Sequence, residues 1–264
     1  MRLMEQMRSL SVPKGAAACW WLGQSSYIFK SPGGTLVGVD LYLTNSCASI
    51  GLALGLDLER RVPILITPQE LDIDLFTCTH NHGDHTDPDT IQALGLKHQM
   101  QFIGPPPSCE VFAKCGVDSG HIVPAWAGCE IPFRDVVLRG TFSMPTDDSD
   151  LNHLGYVFQF GHGPSVYLTG DTAFHPLVAS AQKYAPDLMI TCINAGFNNL
   201  STWQAAQLAS QVRPNAAIPC HYDLFADNAA DPRQFRAALK YLAPDVNYIE
   251  LELGKPFIYS IDTK

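Results

Sequence analysis

Six consecutive residues constrain this chain more than any others. His80-Asn81-His82-Gly83-Asp84-His85 places three imidazoles and a carboxylate on one short loop. The run Leu75-Phe76-Thr77-Cys78-Thr79 before it reads as a buried strand, and Thr86-Asp87-Pro88 after it reads as a helix start. The cluster therefore sits on a strand-to-helix loop, with Gly83 permitting a tight turn, where side chains converge without interrupting a ladder. Imidazole nitrogens suit Zn, Mn or Fe, and the carboxylate adds charge. His80 and His82 are two apart and point the same way in extended chain. Asp84 and His85 then turn toward a neighbouring point, which suits one or two adjacent divalent ions. The competing reading is a solvated polar loop. With nine histidines in the chain, three within six residues speak against it.

Two further strands end in ligand-type residues. Val166-Tyr167-Leu168-Thr169-Gly170-Asp171-Thr172 ends in a carboxylate able to bridge two cations, or to cap a following helix. Ala217-Ile218-Pro219-Cys220-His221-Tyr222-Asp223 ends in a histidine, for which a packed core residue is the alternative. Strand alternation points Cys220 away from His221, so Cys220 is no ligand candidate.

Between turn signals, strands are expected at Ala17–Leu22, Tyr27–Lys30, Thr35–Val39, Leu75–Thr79, Gln101–Ile103, Val136–Arg139, Gly155–Phe160, Val166–Thr169, Leu188–Cys192, Ala216–Cys220, Tyr248–Leu251 and Phe257–Ser260. Helices are expected at Pro88–Leu96, Cys109–Cys115, Phe174–Tyr184, Ser201–Val212 and Pro232–Tyr241, two of them opened by Asp-Pro. Several strands followed by strand–helix alternation, with the pattern returning in the second half, suggest two sheets face to face with helices outside. No linker, low-complexity tract or repeat divides residues 1–264, which read as one domain.

The formal net charge of -9 and the lack of a Lys/Arg run disfavour nucleic acid. None of the eight cysteines forms a Cys-x-x-Cys pair, and several lie in apolar runs, which reads as buried free thiols in a reducing, cytoplasmic setting. Met1 to Leu10 lacks the apolar stretch of a signal peptide, and no run is long enough to span a membrane. A small-molecule substrate is the expected partner, and a homo-oligomer stays open.

His-x-His-x-Asp-His, then a strand ending Thr169-Gly170-Asp171-Thr172, then a strand ending in a lone histidine resembles the metallo-β-lactamase superfamily. Trp20-Trp21-Leu22-Gly23, Ser31-Pro32-Gly33-Gly34-Thr35 and Val39-Asp40 extend the resemblance to the L-ascorbate-6-phosphate lactonase branch, from about Trp20 to about Ile261. The resemblance implies an α+β fold, a four-layer αββα sandwich with the site at one edge between the sheets. It implies one metal position from His80, His82 and His153, and a second from Asp84, His85 and His221, with Asp171 bridging. Zn or Mn is the expected ion, with Fe compatible. It further implies hydrolysis by a metal-activated water, with Asp84 orienting it, most simply as lactone ring opening. A metallo-phosphodiesterase and a non-catalytic binding protein on the same scaffold are the alternatives.

The chain departs from that branch in being shorter than the full-length lactonases. The third-motif histidine of the superfamily also has to be sought between Phe142 and Tyr156, where His153 is the only histidine and Asp147 and Asp148 are substitutes or pocket residues. Asp40 is expected to accept a hydrogen bond from a ligand histidine. Asn194 and Asn199 are candidates for substrate contact or for support of the ligands, with turn chemistry as the alternative, and His175 is a candidate for the pocket mouth. His98, His121 and His162 lack motif context. No lysine or arginine presents itself for a substrate phosphate.

Overall fold

The computed structural model describes residues 2–261. Strand β1 (Ala16–Trp21) shows how the layers arise. Ala17, Cys19 and Trp21 face one way, Ala16, Ala18 and Trp20 the other, and both sets are buried. A strand buried on both faces belongs inside a layered fold.

With β1, the strands β2 (Tyr27–Lys30), β3 (Leu36–Val39), β4 (Leu75–Thr77), β5 (Gln101–Gly104), β6 (Ile122–Pro124) and the distant β14 (Phe257–Ser260) make one sheet, in the order β14-β1-β2-β3-β4-β5-β6. The second sheet holds β7 (Glu130–Phe133), β8 (Val136–Phe142), β9 (Leu154–Phe160), β10 (Ser165–Leu168), β11 (Leu188–Cys192), β12 (Ala216–Cys220) and β13 (Asn247–Tyr248) in the mirrored order β13-β12-β11-β10-β9-β8-β7. Each is antiparallel on one side and parallel on the other, the switch falling at β3/β4 and β10/β11.

Phe29 of the first sheet meets Phe158 and Phe160 of the second, with ring centroids 5.8 and 5.6 Å apart. Helices α1 (Leu3–Ser9), α3 (Pro88–Ala93) and α4 (Pro106–Lys114) cover the outer face of the first sheet through Met4, Met7, Ile91 and Phe112. Helices α5 (Thr202–Val212) and α6 (Pro232–Leu242) cover the second through Ala205, Leu208, Ala209, Phe235 and Leu239. The result is the four-layer αββα sandwich. Helix α2 (Cys47–Leu54) instead sits at the sheet edge, where Cys47 clusters with Tyr42, Leu224 and Phe225.

Four elements escape the sequence reading: α1, α2, β6 and β7. Two are corrected. Residues 248–251 do not form the expected strand, because only Asn247 and Tyr248 pair with β12. The segment Pro176–Tyr184 is a 3-10 helix entered through His175, not an α-helix from Phe174.

The layers converge at one edge. Thr79 O accepts the Leu154 N–H at 2.9 Å, and Tyr156 OH donates to Cys78 O at 2.9 Å, joining the end of β4 to the start of β9. Gly170 is required there: its φ is +63°, and a Cβ would lie 2.6 Å from Leu154 O and 3.0 Å from Thr79 Cβ. Only glycine lets the two sheets approach so closely.

Candidate metal centre

The carboxyl ends of parallel strands are where open α/β sheets place their ligands, and most of the candidate residues follow that rule. His80, His82, Asp84 and His85 follow β4, and Asp40 follows β3. Asp171 follows β10, and Asn194 and Asn199 follow β11. His221 ends β12, and His153 precedes β9, which runs antiparallel to β10 and so reaches the same edge.

The side chains gather as three overlapping groups whose donor atoms lie within 4.8 Å of one another: His80, His82 and His153; His80, His85 and Asp171; Asp84, His85 and His221. His85 Nε2 is 3.3 Å from His221 Nε2 and 3.4 Å from Asp171 Oδ1. His221 Nε2 is 3.2 Å from Asp171 Oδ2 and 3.3 Å from Asp84 Oδ2. Asp171 thus faces His85 and His221, and it shares a donor group with His80.

The surroundings fix which imidazole nitrogen faces inward. The carboxylate of Asp40 accepts His85 Nδ1–H at 2.8 Å, leaving His85 Nε2 toward the cluster. The same carboxylate accepts Thr79 Oγ1–H at 2.7 Å, so Thr79 Oγ1 accepts His80 Nδ1–H at 3.0 Å. The Asp171 backbone carbonyl accepts His153 Nδ1–H at 3.1 Å. The outer Nε2 of His82 meets Ser149 Oγ at 3.0 Å, while its Nδ1 lies 3.0 Å from His80 Nε2. The Asn228 carboxamide lies 3.2 Å from His221 Nδ1. His80, His82, His85 and His153 thus each spend one nitrogen on the protein and turn the other inward, the arrangement that orients metal-ligating histidines, whereas His221 Nδ1 faces the amide nitrogen of Asn228.

This donor set fits a cation. His153 Nε2 and Asp171 Oδ1 are buried and have no hydrogen-bond partner among the described residues. Buried polar atoms are normally paired. Two such atoms aimed into a cluster of nitrogens and carboxylates fit divalent ions in the two positions.

The electrostatics agree. Burial opposes charge on His85, yet Asp84, Asp171 and Asp40 outweigh it and raise its pKa well above the usual imidazole value. Burial likewise opposes charge on His221, but Asp171 and Asp84 raise its pKa to about 9. Burial, reinforced by His85 and His153, lowers that of His80, and burial lowers that of His153. Although burial opposes their ionisation, His85 and His221 hold Asp84 and Asp171 below the ordinary carboxylate range. Without an ion, the carboxylates draw protons onto His85 and His221; a cation would replace those protons.

Asp40 is placed as expected, fully buried and in left-handed backbone with φ 48°. The other three candidates do not line the cavity. Asn199 makes no cavity wall: its Nδ2 donates to Asp171 Oδ2 at 2.6 Å and its Oδ1 accepts Thr172 N–H at 2.9 Å, so it holds Asp171. Asn194 bonds to Asn228 and thereby steadies His221 at one remove. His175 is exposed, its Nδ1 accepts Leu177 N–H at 3.1 Å, and it does not line the cavity. Of the acidic pair, Asp147 lines the cavity, 3.5 Å from His82 Nε2, whereas Asp148 does not.

Gln24 and Asn228 escape sequence reading altogether. Gln24 is fully buried, its Nε2 donates to Asp84 Oδ2 at 2.7 Å, and that nitrogen lies 3.0 Å from His221 Nε2. A lone glutamine in Leu22-Gly23-Gln24-Ser25 carries no local signal; the contacts that define it span 60 and 197 residues.

A cavity of about 320 Å³ opens on His82, Asp84, Asp171 and His221. Its other wall is apolar, formed by Ile50 and Leu54 of α2 with Leu58, Phe197 and Phe225.

Paired mixed sheets with a histidine–carboxylate cluster at their shared edge define a metallo-hydrolase of the αββα class. Residues 42–222 match the family described as the beta-lactamase superfamily domain, and the chain belongs to that family. A UPF0173 metal-dependent hydrolase of Hyperthermus butylicus is 24% identical over 237 residues, covering 89% of this chain and 96% of its own. A probable L-ascorbate-6-phosphate lactonase of Salmonella gallinarum is 23% identical, covering 99% of this chain and 84% of its own. Among solved structures, the metallo hydrolase Igni18 of Ignicoccus hospitalis superposes with a TM-score of 0.75 at 18% identity, covering 94% of this chain and all of its own. An isothiocyanate hydrolase from Delia radicum gut bacteria superposes with a TM-score of 0.76 at 15% identity, covering 92% and 100%.

Proposed function

We propose that this chain hydrolyses a small lactone, opening the ring with an activated water. The observation that carries the reading is the cavity itself: it opens onto Asp84, Asp171, His82 and His221, so a substrate carbonyl in it lies against the inward-facing donors. His80, His82 and His153 would hold one divalent ion, and Asp84, His85 and His221 the other, with Asp171 between them. Zn or Mn suits this set of nitrogens and carboxylates. When bound, such an ion would supply Lewis-acid chemistry, easing deprotonation of the attacking water and polarising the acyl oxygen.

The chain's own groups supply the rest. Asp84, whose carboxylate faces His85 and His221, accepts the proton of the attacking water. The water oxygen bonds to the carbonyl carbon, the ring C–O bond breaks, and the proton passes to the departing alkoxide, giving a hydroxy acid. Gln24 keeps Asp84 Oδ2 in place, and Asn199 keeps Asp171 Oδ2 in place. The Salmonella relative is named for lactone opening, which supports the reaction type. Among the described residues no lysine or arginine lines the cavity, which weighs against phosphodiester substrates.

The test is a screen of lactones and phosphodiesters with zinc- or manganese-loaded protein, beside the Asp171→Ala variant. Lactone opening that falls at least about a hundredfold in the variant is expected. Phosphodiester cleavage without lactone opening would reject the reading.

A further inference from the structure

The apolar wall of the cavity specifies the substrate more narrowly than the metal centre does. Helix α2 lies directly over the ligand loop: a Cβ on Gly83 would be 3.5 Å from both Cys47 Sγ and Ile50 Cδ1. From there, Ile50 and Leu54 line the cavity together with Leu58, Phe197 and Phe225. Ile50, Leu54 and Phe197 keep 48%, 67% and 50% of their surface in water. Contiguous apolar side chains beside a polar centre mark a binding surface. Phe197 is held there at some expense, since it has φ 52°, flanked by Ala195 at 57° and Asn198 at 61°. Left-handed backbone is unfavourable for a bulky aromatic residue and persists where surrounding contacts impose it. Here Asn198 Nδ2 donates to Thr146 O at 2.7 Å, pinning the loop that carries the ring.

The charges point the same way. Asp84, Asp147 and Asp171 line the cavity, and no lysine or arginine among the described residues does. Arg60, near the wall at Tyr42, is spent on backbone carbonyls, its Nη1 donating to Tyr42 O at 2.8 Å and its Nε to Val62 O at 2.9 Å. An anionic group remote from the reacting carbonyl would meet Asp147 and hydrocarbon, with only the Thr146 and Ser149 hydroxyls and Asn228 to replace its hydration.

We infer that the substrate is an uncharged acyl compound carrying a hydrocarbon chain, which lies along Ile50, Leu54, Leu58, Phe197 and Phe225 while its carbonyl faces Asp84 and Asp171. This rests on the hydrolase reading for the position of the carbonyl. It differs from the phosphorylated lactone for which the Salmonella relative is named.

The chain-binding claim is tested separately from turnover, with γ-lactams that resist hydrolysis. Zinc-loaded protein is titrated calorimetrically with a series bearing ethyl to octyl chains, and with one lactam bearing a terminal phosphate. Affinity is expected to rise up to about fourfold per methylene until the wall is covered. The phosphate-bearing lactam should bind more weakly than its neutral counterpart of equal length. Leu54→Asp, at an exposed position that tolerates charge, should flatten the rise, as should Phe197→Ser. Affinity independent of chain length, or tighter binding of the phosphate-bearing lactam, would overturn the inference. A rising affinity without opening of the matching lactones would leave the chain-binding inference standing and reject the lactone-opening reading instead.

Discussion

At the scale of single residues, the centre depends on groups that never meet substrate. Asp40 alone sets the tautomers of two candidate ligands, His85 directly and His80 through Thr79. Asp40→Ala is therefore expected to lower metal affinity about ten- to a hundredfold, measured by competition with a chromogenic chelator. Protons are the ion's competitors. The pKa of His85 is raised by its carboxylates and that of His221 stands at about 9, so both carry protons at pH 7 in the ion-free protein. Metal binding at pH 7 should release protons, and apparent affinity should climb from pH 7 toward pH 9, as calorimetry in buffers of different ionisation enthalpy would register. Cys47 lies in the cavity wall, but burial pushes its thiol up to about 12, so it is no nucleophile at neutral pH. Thiol reagents should leave native activity intact and react with the buried thiols only on unfolding.

At the scale of elements, the edge of the sandwich is built by ties between segments far apart in sequence. Asp87 caps α3 through Asp89 N–H and Thr90 N–H, and also accepts Thr44 Oγ1–H at 2.6 Å and Ser46 Oγ–H at 2.9 Å. It thus joins the helix after the ligand loop to the turn before α2. Losing such a cap costs about 0.5–2 kcal/mol, and Asp87→Ala should show at least that in urea unfolding, because the two hydroxyls are released as well. Gly170 answers for the approach of β10 to Thr79. Gly170→Ala should shift Asp171 and cut metal binding, while a folded far-ultraviolet spectrum persists.

At the scale of the molecule, legibility followed how local each signal is. The six-residue ligand run, the Gly170-Asp171 strand end and His221 each sit beside a strand pattern, so their types and order were readable. Paired sheets followed from the strand–helix order and from the resemblance. Helix α2 was not readable: Cys47–Leu54 is apolar nearly throughout and has no side-chain cap, so neither periodicity nor a start signal marks it. Gln24, Asn228 and Phe197 gain meaning only when loops from both sheets meet. His175 lies close to Asp171 in sequence, but it is exposed and caps the next segment through Leu177 N–H. Among the described residues, no helix is long and apolar enough to cross a membrane.

The central claim is that two divalent ions are held by distinct donor groups sharing Asp171. The direct measurement is the metal content of zinc-saturated protein, after removal of loosely bound ions, for the wild type, His153→Ala, His221→Ala and Asp171→Ala. The wild type should hold two ions per chain, the two histidine variants one each, and Asp171→Ala fewer than either. Wild-type metal content in Asp171→Ala, or an unaltered count in both histidine variants, would contradict the account.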